Sequence, residues 1–119
     1  MKQNQINRKK RHWKILKRIK GTPEKPRVMV YKSLQNLYVQ AIDDLSGKVI
    51  CGMSTNSKNL KSKVSYGGNV AAAKELGKVY AGVLKEKGVQ TIAFDRAGFL
   101  FHGRIKAFAD VLREEGIQF

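Results

Sequence analysis

The chain is poor in acid. Only 9 Asp and Glu stand against 24 Lys and Arg, a formal charge of +15 over 119 residues. Self-repulsion of that size costs stability, so a polyanionic partner is the natural explanation. Nucleic acid comes first and an anionic membrane surface second. Cysteine occurs once, at Cys51, which excludes an internal disulfide and a cysteine-based zinc site and fits a reducing compartment. Cys51 falls inside an apolar strand pattern and reads as a small core residue. No apolar run approaches the roughly 18 residues a membrane span needs, so no membrane partner is expected. The N-terminus is basic but no apolar segment follows it, so no secretory signal is expected.

What is present suffices for one core: 42% of residues are hydrophobic, and the length suits one domain with an appendage. The appendage is residues 1–20. It holds nine cations (Lys2, Arg8, Lys9, Lys10, Arg11, Lys14, Lys17, Arg18 and Lys20) and no acid. Without it the remaining 15 basic and 9 acidic residues leave a charge of only +6. Alone, this arm should be mostly disordered, because like charges surround its narrow Trp13, Leu16 and Ile19 stripe. It could order on phosphates, with Trp13 stacking on a base or docking on the body. A solvated tail and an organelle presequence are the other readings.

Residues 21–26 read as a linker, with Pro26 leading into a strand. Three short strands follow in an antiparallel meander, at 27–32, 37–43 and 48–54, joined by turns at 33–36 and 43–47. Val28, Val30, Leu37, Val39 and Ala41 form the aliphatic face. The opposite face carries Tyr31, Tyr38 and Gln40, flanked by Arg27 and Lys32. Tyrosines among cations suit base stacking and phosphate contact. They also satisfy ordinary β-propensity. Residues 56–69 form a polar loop with Lys58, Lys61 and Lys63, and they lack the Gly-Lys-Ser/Thr ending of a phosphate-gripping loop.

Asn69 caps a helix that reaches about Lys87 and stops at Gly88, with Val70, Ala73, Leu76, Tyr80, Val83 and Leu84 as its buried face. Residues 89–94 are an apolar run that reads as a fourth strand. A second helix begins near Gly103, buries Ile105, Phe108, Ala109 and Leu112, and ends at Gly116. The order is β-β-β-α-β-α. A right-handed crossover puts the fourth strand parallel to the first and beside it. The expected fold is therefore α/β, a mixed sheet of order 3-2-1-4 with two helices on one face and the tyrosine face uncovered. Residues 1–20 form the arm and 21–119 a single domain.

The start of the second helix is unusual. No Ser, Thr, Asp or Asn precedes it, and its neighbours are cations: Arg96, His102, Arg104 and Lys106. Such a helix start suits a phosphate seat. The other reading has Gly103 as a cap among solvated cations. The inventory for catalysis is poor. Asp43 and Asp44 look like turn residues, and Asp95 is followed by Arg96, which could pair with it or answer a phosphate. No enzyme, cofactor or metal site is expected.

Two stretches carry a resemblance. One is Gly21-Thr22-Pro23-Glu24-Lys25-Pro26-Arg27-Val28-Met29-Val30-Tyr31-Lys32-Ser33, continued by Leu37-Tyr38-Val39-Gln40-Ala41-Ile42-Asp43-Asp44. The other is Phe94-Asp95-Arg96, Gly98, His102-Gly103-Arg104, Lys106-Ala107, Ala109-Asp110, Arg113-Glu114, Gly116 and Phe119. Together they closely resemble the bacterial-type large-subunit ribosomal protein eighteen family. The resemblance implies a ribonuclease-H-like core without catalytic carboxylates. It implies binding to 5S ribosomal RNA and its attachment to 23S ribosomal RNA, beside neighbouring proteins of the central protuberance. A cytoplasmic ribosome is expected, bacterial or plastid, and a monomer when the chain is free. Ala97-Gly98-Phe99 stands where the family often has Gly-Gly-Tyr, Phe101 where it has a second Tyr, and Leu34-Gln35 where a lysine is common.

The expected RNA contacts are thus Arg8, Lys9, Lys10, Arg11, Trp13, Lys14, Lys17, Arg18 and Lys20 from the arm. The sheet and its first turn give Arg27, Tyr31, Lys32, Ser33, Asn36, Tyr38 and Gln40, and the second helix start gives Arg96, His102, Gly103 and Arg104. A general nucleic-acid binder and a Mg²⁺-dependent nuclease are the rival readings.

Overall fold

Alternating apolar and polar residues build the sheet. In the computed structural model, which describes residues 7–10, 20–57, 60 and 67–119, the strands are β1 (Arg27–Lys32), β2 (Leu37–Asp43), β3 (Lys48–Ser54) and β4 (Ala93–Asp95). The helices that build the core are α1 (Val70–Glu86) and α2 (Gly103–Glu114), and residues 7–10 are also helical. The sheet order is β3-β2-β1-β4, antiparallel except for the parallel β1–β4 pair. This is the topology the crossover rule requires.

Val28, Val30, Leu37, Val39 and Ala41 point into one core with Leu76, Tyr80 and Leu84 of α1 and Ile105, Phe108 and Leu112 of α2. Burying each large side chain contributes about 1.5–3 kcal/mol. Tyr80 anchors the edge: its hydroxyl donates to the Cys51 carbonyl at 2.9 Å, and burial pushes its pKa far up. Cys51 is half-buried rather than fully inside, because β3 is an edge strand. Between Ala41↔Cys51 and Ile42↔Val49 the pairing slips, leaving Ile50 as the extra residue of a bulge.

The helix ends follow their signals. Asn69 Oδ1 accepts the Ala72 N–H at 2.8 Å. At the other end Gly88 and Gly116 take positive φ, and the two residues after them, Val89 and Ile117, donate back to Leu84 and Leu112.

Three expectations shift. Val70 is 42% exposed, while Ala72, Gly77 and Ala81 are buried, because Gly77 lies against Val111 where the helices meet. Of the run 89–94 only the end pairs with β1; Ile92 donates to Gln118 instead, and Thr91 bridges to Gln118. Leu60, in the polar loop, is fully buried in the core.

Candidate nucleic-acid interface

Residues paired across a sheet share a face, so Tyr31 beside Tyr38 and Met29 beside Gln40 lie opposite the core. Tyr31 and Tyr38 are 42% and 40% exposed, with ring centroids 6.4 Å apart. Phe99, from the loop after β4, meets Tyr31 edge-on at 5.4 Å. The three rings make a row. Cations lie across it: the Arg8 guanidinium is 4.6 Å from the Phe99 centroid and 5.5 Å from Tyr31, and Lys32 Nζ is 5.5 Å from Phe99. Each such contact contributes about 0.5–1 kcal/mol at an exposed site.

Arg8 also donates to the Ala97 carbonyl at 2.7 Å, so the start of the arm is fastened to the body. The turn that receives it has left-handed backbone at Ala97 (φ 54) and Gly98 (φ 80), closed by Phe99 N–H to the Arg96 carbonyl at 3.0 Å. The Ala97 N–H is held by Asp95 Oδ1 at 2.9 Å. A Cβ at Gly98 would run into the Arg8 carbonyl. Gly98→Ala should therefore lower stability by about 1–2 kcal/mol from the left-handed backbone alone, and by more while Arg8 is docked. Denaturant titration of the intact chain and of one lacking residues 1–20 checks this; an equal loss in both would contradict the docking.

The first turn and the α2 start, read as separate contacts, are brought together. Arg104 donates to the Asn36 carbonyl at 3.3 Å. Ser33 and Asn36 are largely occupied in holding that turn. The Ser33 N–H donates to the Asn36 carbonyl at 2.9 Å, Ser33 Oγ accepts the Asn36 N–H at 3.1 Å, and Asn36 Oδ1 accepts from Thr55 Oγ1 at 3.0 Å. His102 is the N-cap residue of α2, exposed and giving no side-chain cap, and Gly103 opens the helix with φ 56. The first turn of α2 contains no acid, and Lys106 pairs with Asp110 at 2.8 Å. Arg96 is half-buried in the loop between β4 and α2.

Arg27 is a correction. It was expected at the surface, but it is only 9% exposed and committed to two carboxylates. Its Nε and Nη2 reach Asp44 at 3.0 and 3.1 Å, and Nη1 reaches the fully buried Asp95 at 2.7 Å. The hydrogen bond to Asp44 holds the Arg27 pKa above its ordinary value, and the same bond holds the Asp44 carboxyl below its own. Asp44 Oδ2 also accepts the Gly21 N–H at 2.6 Å, and the Asp44 N–H donates to the Gly21 carbonyl at 3.0 Å. The stretch read as a linker is thus pinned at its first residue, which is buried. It covers the Arg27 end of the face that was expected to be open.

Lys9, Lys10 and Lys20 are exposed. Arg11, Trp13, Lys14, Lys17 and Arg18, with the loop lysines Lys58, Lys61 and Lys63, lie outside the described residues. Phe99 was not among the expected contacts, although it stands between cations in an otherwise apolar loop. Among the described residues no three His, Cys, Asp or Glu gather to hold a metal ion.

A family model described as ribosomal L18 of archaea, bacteria, mitochondria and chloroplast matches residues 2–119. A relative from Kosmotoga olearia, named large ribosomal subunit protein uL18, is 50% identical over 112 residues, covering 94% of this chain and 92% of its own. One of the same name from Ruminiclostridium cellulolyticum is 47% identical over 120 residues, 98% of each chain. A third, from Mycoplasma mobile, is 49% identical over 112 residues, 94% of this chain and 92% of its own.

Proposed function

Because the chain belongs to the ribosomal L18 family, we propose that it binds 5S ribosomal RNA and helps attach it to 23S ribosomal RNA in the central protuberance. It is a structural constituent of the large ribosomal subunit, not an enzyme. Neighbouring proteins of the protuberance are its further partners there.

The observation that carries the reading is the row Tyr38–Tyr31–Phe99 crossed by Arg8 and Lys32. Aromatic faces stack on unpaired bases, and cations beside them meet the phosphates of the same strand. Folded RNA supplies both; duplex DNA keeps its bases stacked. The nuclease reading loses support at Arg27. Its guanidinium lies between Asp44 and Asp95, the carboxylates that converge on it, and satisfies both with a fixed positive charge.

A gel-shift panel of 5S RNA, 23S fragments and duplex DNA tests the reading. The expected result is that 5S RNA is retained against excess duplex DNA. Equal competition by the duplex would leave a general binder. Arg104→Ala should weaken 5S binding by about 1–2 kcal/mol through loss of a charge-assisted contact. An unchanged titration would remove Arg104 from the interface.

A further inference from the structure

On the sheet face beside the tyrosines lies a groove of about 460 Å³, with Tyr31, Tyr38, Gln40, Gly52, Ser54 and Ser57 in its lining. Pairing places Gln40 next to Gly52 and Tyr38 next to Ser54, so β2 and β3 present these residues on one face. Gly52 is the informative residue. It sits inside a strand, where glycine costs roughly 0.5–1 kcal/mol relative to alanine. Among the described residues nothing crowds the position, and Gly52 pairs in register with Gln40, beyond the bulge at Ile50. Its φ is not in the left-handed region, unlike those of Gly47, Gly88, Gly98, Gly103 and Gly116. A Cβ there would lie 3.6 Å from Gln40 Cγ and 3.6 Å from the Val39 carbonyl, ordinary contact distances. In a strand, away from a bulge or bend, a bare backbone with room above it among the described residues marks a place where a ligand approaches closely.

Resting on the RNA-binding reading above, we propose that this groove holds one unpaired nucleobase, stacked against the tyrosine side and lying over Gly52, with its edge on the Gln40 amide. The walls fit that occupant. Stacking on tyrosine accepts any base, and an amide offers a donor and an acceptor together, the pattern a base edge matches. Arg8 already occupies the Phe99 end of the row, so Tyr38 is the ring left beside the groove. The charge of +15 draws the strand that carries the base.

The test uses the full-length chain, a single-stranded adenosine hexamer and a 5S transcript. Gly52→Val fills the groove with a residue that strands favour, so its melting temperature should equal or exceed that of the wild type. Amide NMR should show saturable shifts at Gln40, Gly52 and Ser54 with the hexamer. Gly52→Val should weaken hexamer binding about ten- to a hundredfold, the worth of one stacked base. Should Gly52→Val fail to fold, Tyr38→Ala, at a half-exposed position, must show the same loss. Wild-type affinity in these variants, or binding of either RNA without shifts in the groove, overturns the proposal. If 5S RNA does not bind but the hexamer still fills the groove, the 5S reading falls and the base site stands.

Discussion

Arg27→Met should cost the fold about 3–5 kcal/mol, the range found when one partner of a buried ion pair is removed. Asp95 has no exposure, and without Arg27 its charge would lose a partner 2.7 Å away. Asp44 would lose two hydrogen bonds, and with them part of the hold on Gly21. A typical domain is stable by only about 5–15 kcal/mol, so the loss is a large fraction of the whole. Urea titration at neutral pH reads it directly; a loss below about 1 kcal/mol would show the triad to be dispensable. The pH dependence gives a second check. Asp44 has a lowered pKa in the folded state, so its contribution is full above the unfolded value near 3.9 and fades as pH falls through the folded value. The wild type should therefore weaken on acidification below about pH 4. Arg27→Met should weaken less, because the Asp44 contribution that acid removes is already lost with Arg27.

Deleting residues 1–20 should have the largest effect on binding. The segment carries nine of the 24 cations and no acid. Each phosphate neutralised adds about 0.7–0.9 to the slope of log affinity against log salt, so nine would add about 6–8. The truncated chain should bind 5S RNA far more weakly at low salt and with a much flatter slope. Its fold should persist, because Gly21 is tied to Asp44 and the core described by the structure is built from later residues. The deletion removes the Arg8 contacts to Ala97, Tyr31 and Phe99. An unchanged slope would remove the arm from the interface, and a molten core would show that the body needs it.

The strand faces and the helix limits are legible because they rest on local signals, and the sheet order because short turns and the crossover rule leave little choice. Alternation sorts Val28 from Met29 and Val39 from Gln40, and Asn69, Gly88 and Gly116 mark helix ends by their own chemistry. The strand position of Arg27 faces away from the core, as that of Tyr31 does, so alternation alone makes it a surface residue. Its cover comes from Asp95, 68 residues later, and from the returning Gly21–Asp44 contact. No periodicity records such a contact. Leu60 escaped for a related reason: the few apolar residues of the polar loop make too short a pattern to read. Phe99 joined Tyr31 only once β4 was placed beside β1. The Arg104–Asn36 bond likewise spans 68 residues, and it merges two stretches that the sequence offered separately.

The most direct measurement is a titration of a folded 5S ribosomal RNA transcript with the full-length protein at low ionic strength. Saturable binding that survives excess duplex DNA and weakens steeply as salt is added is the predicted result. A protein that leaves the transcript unbound under those conditions would contradict the account.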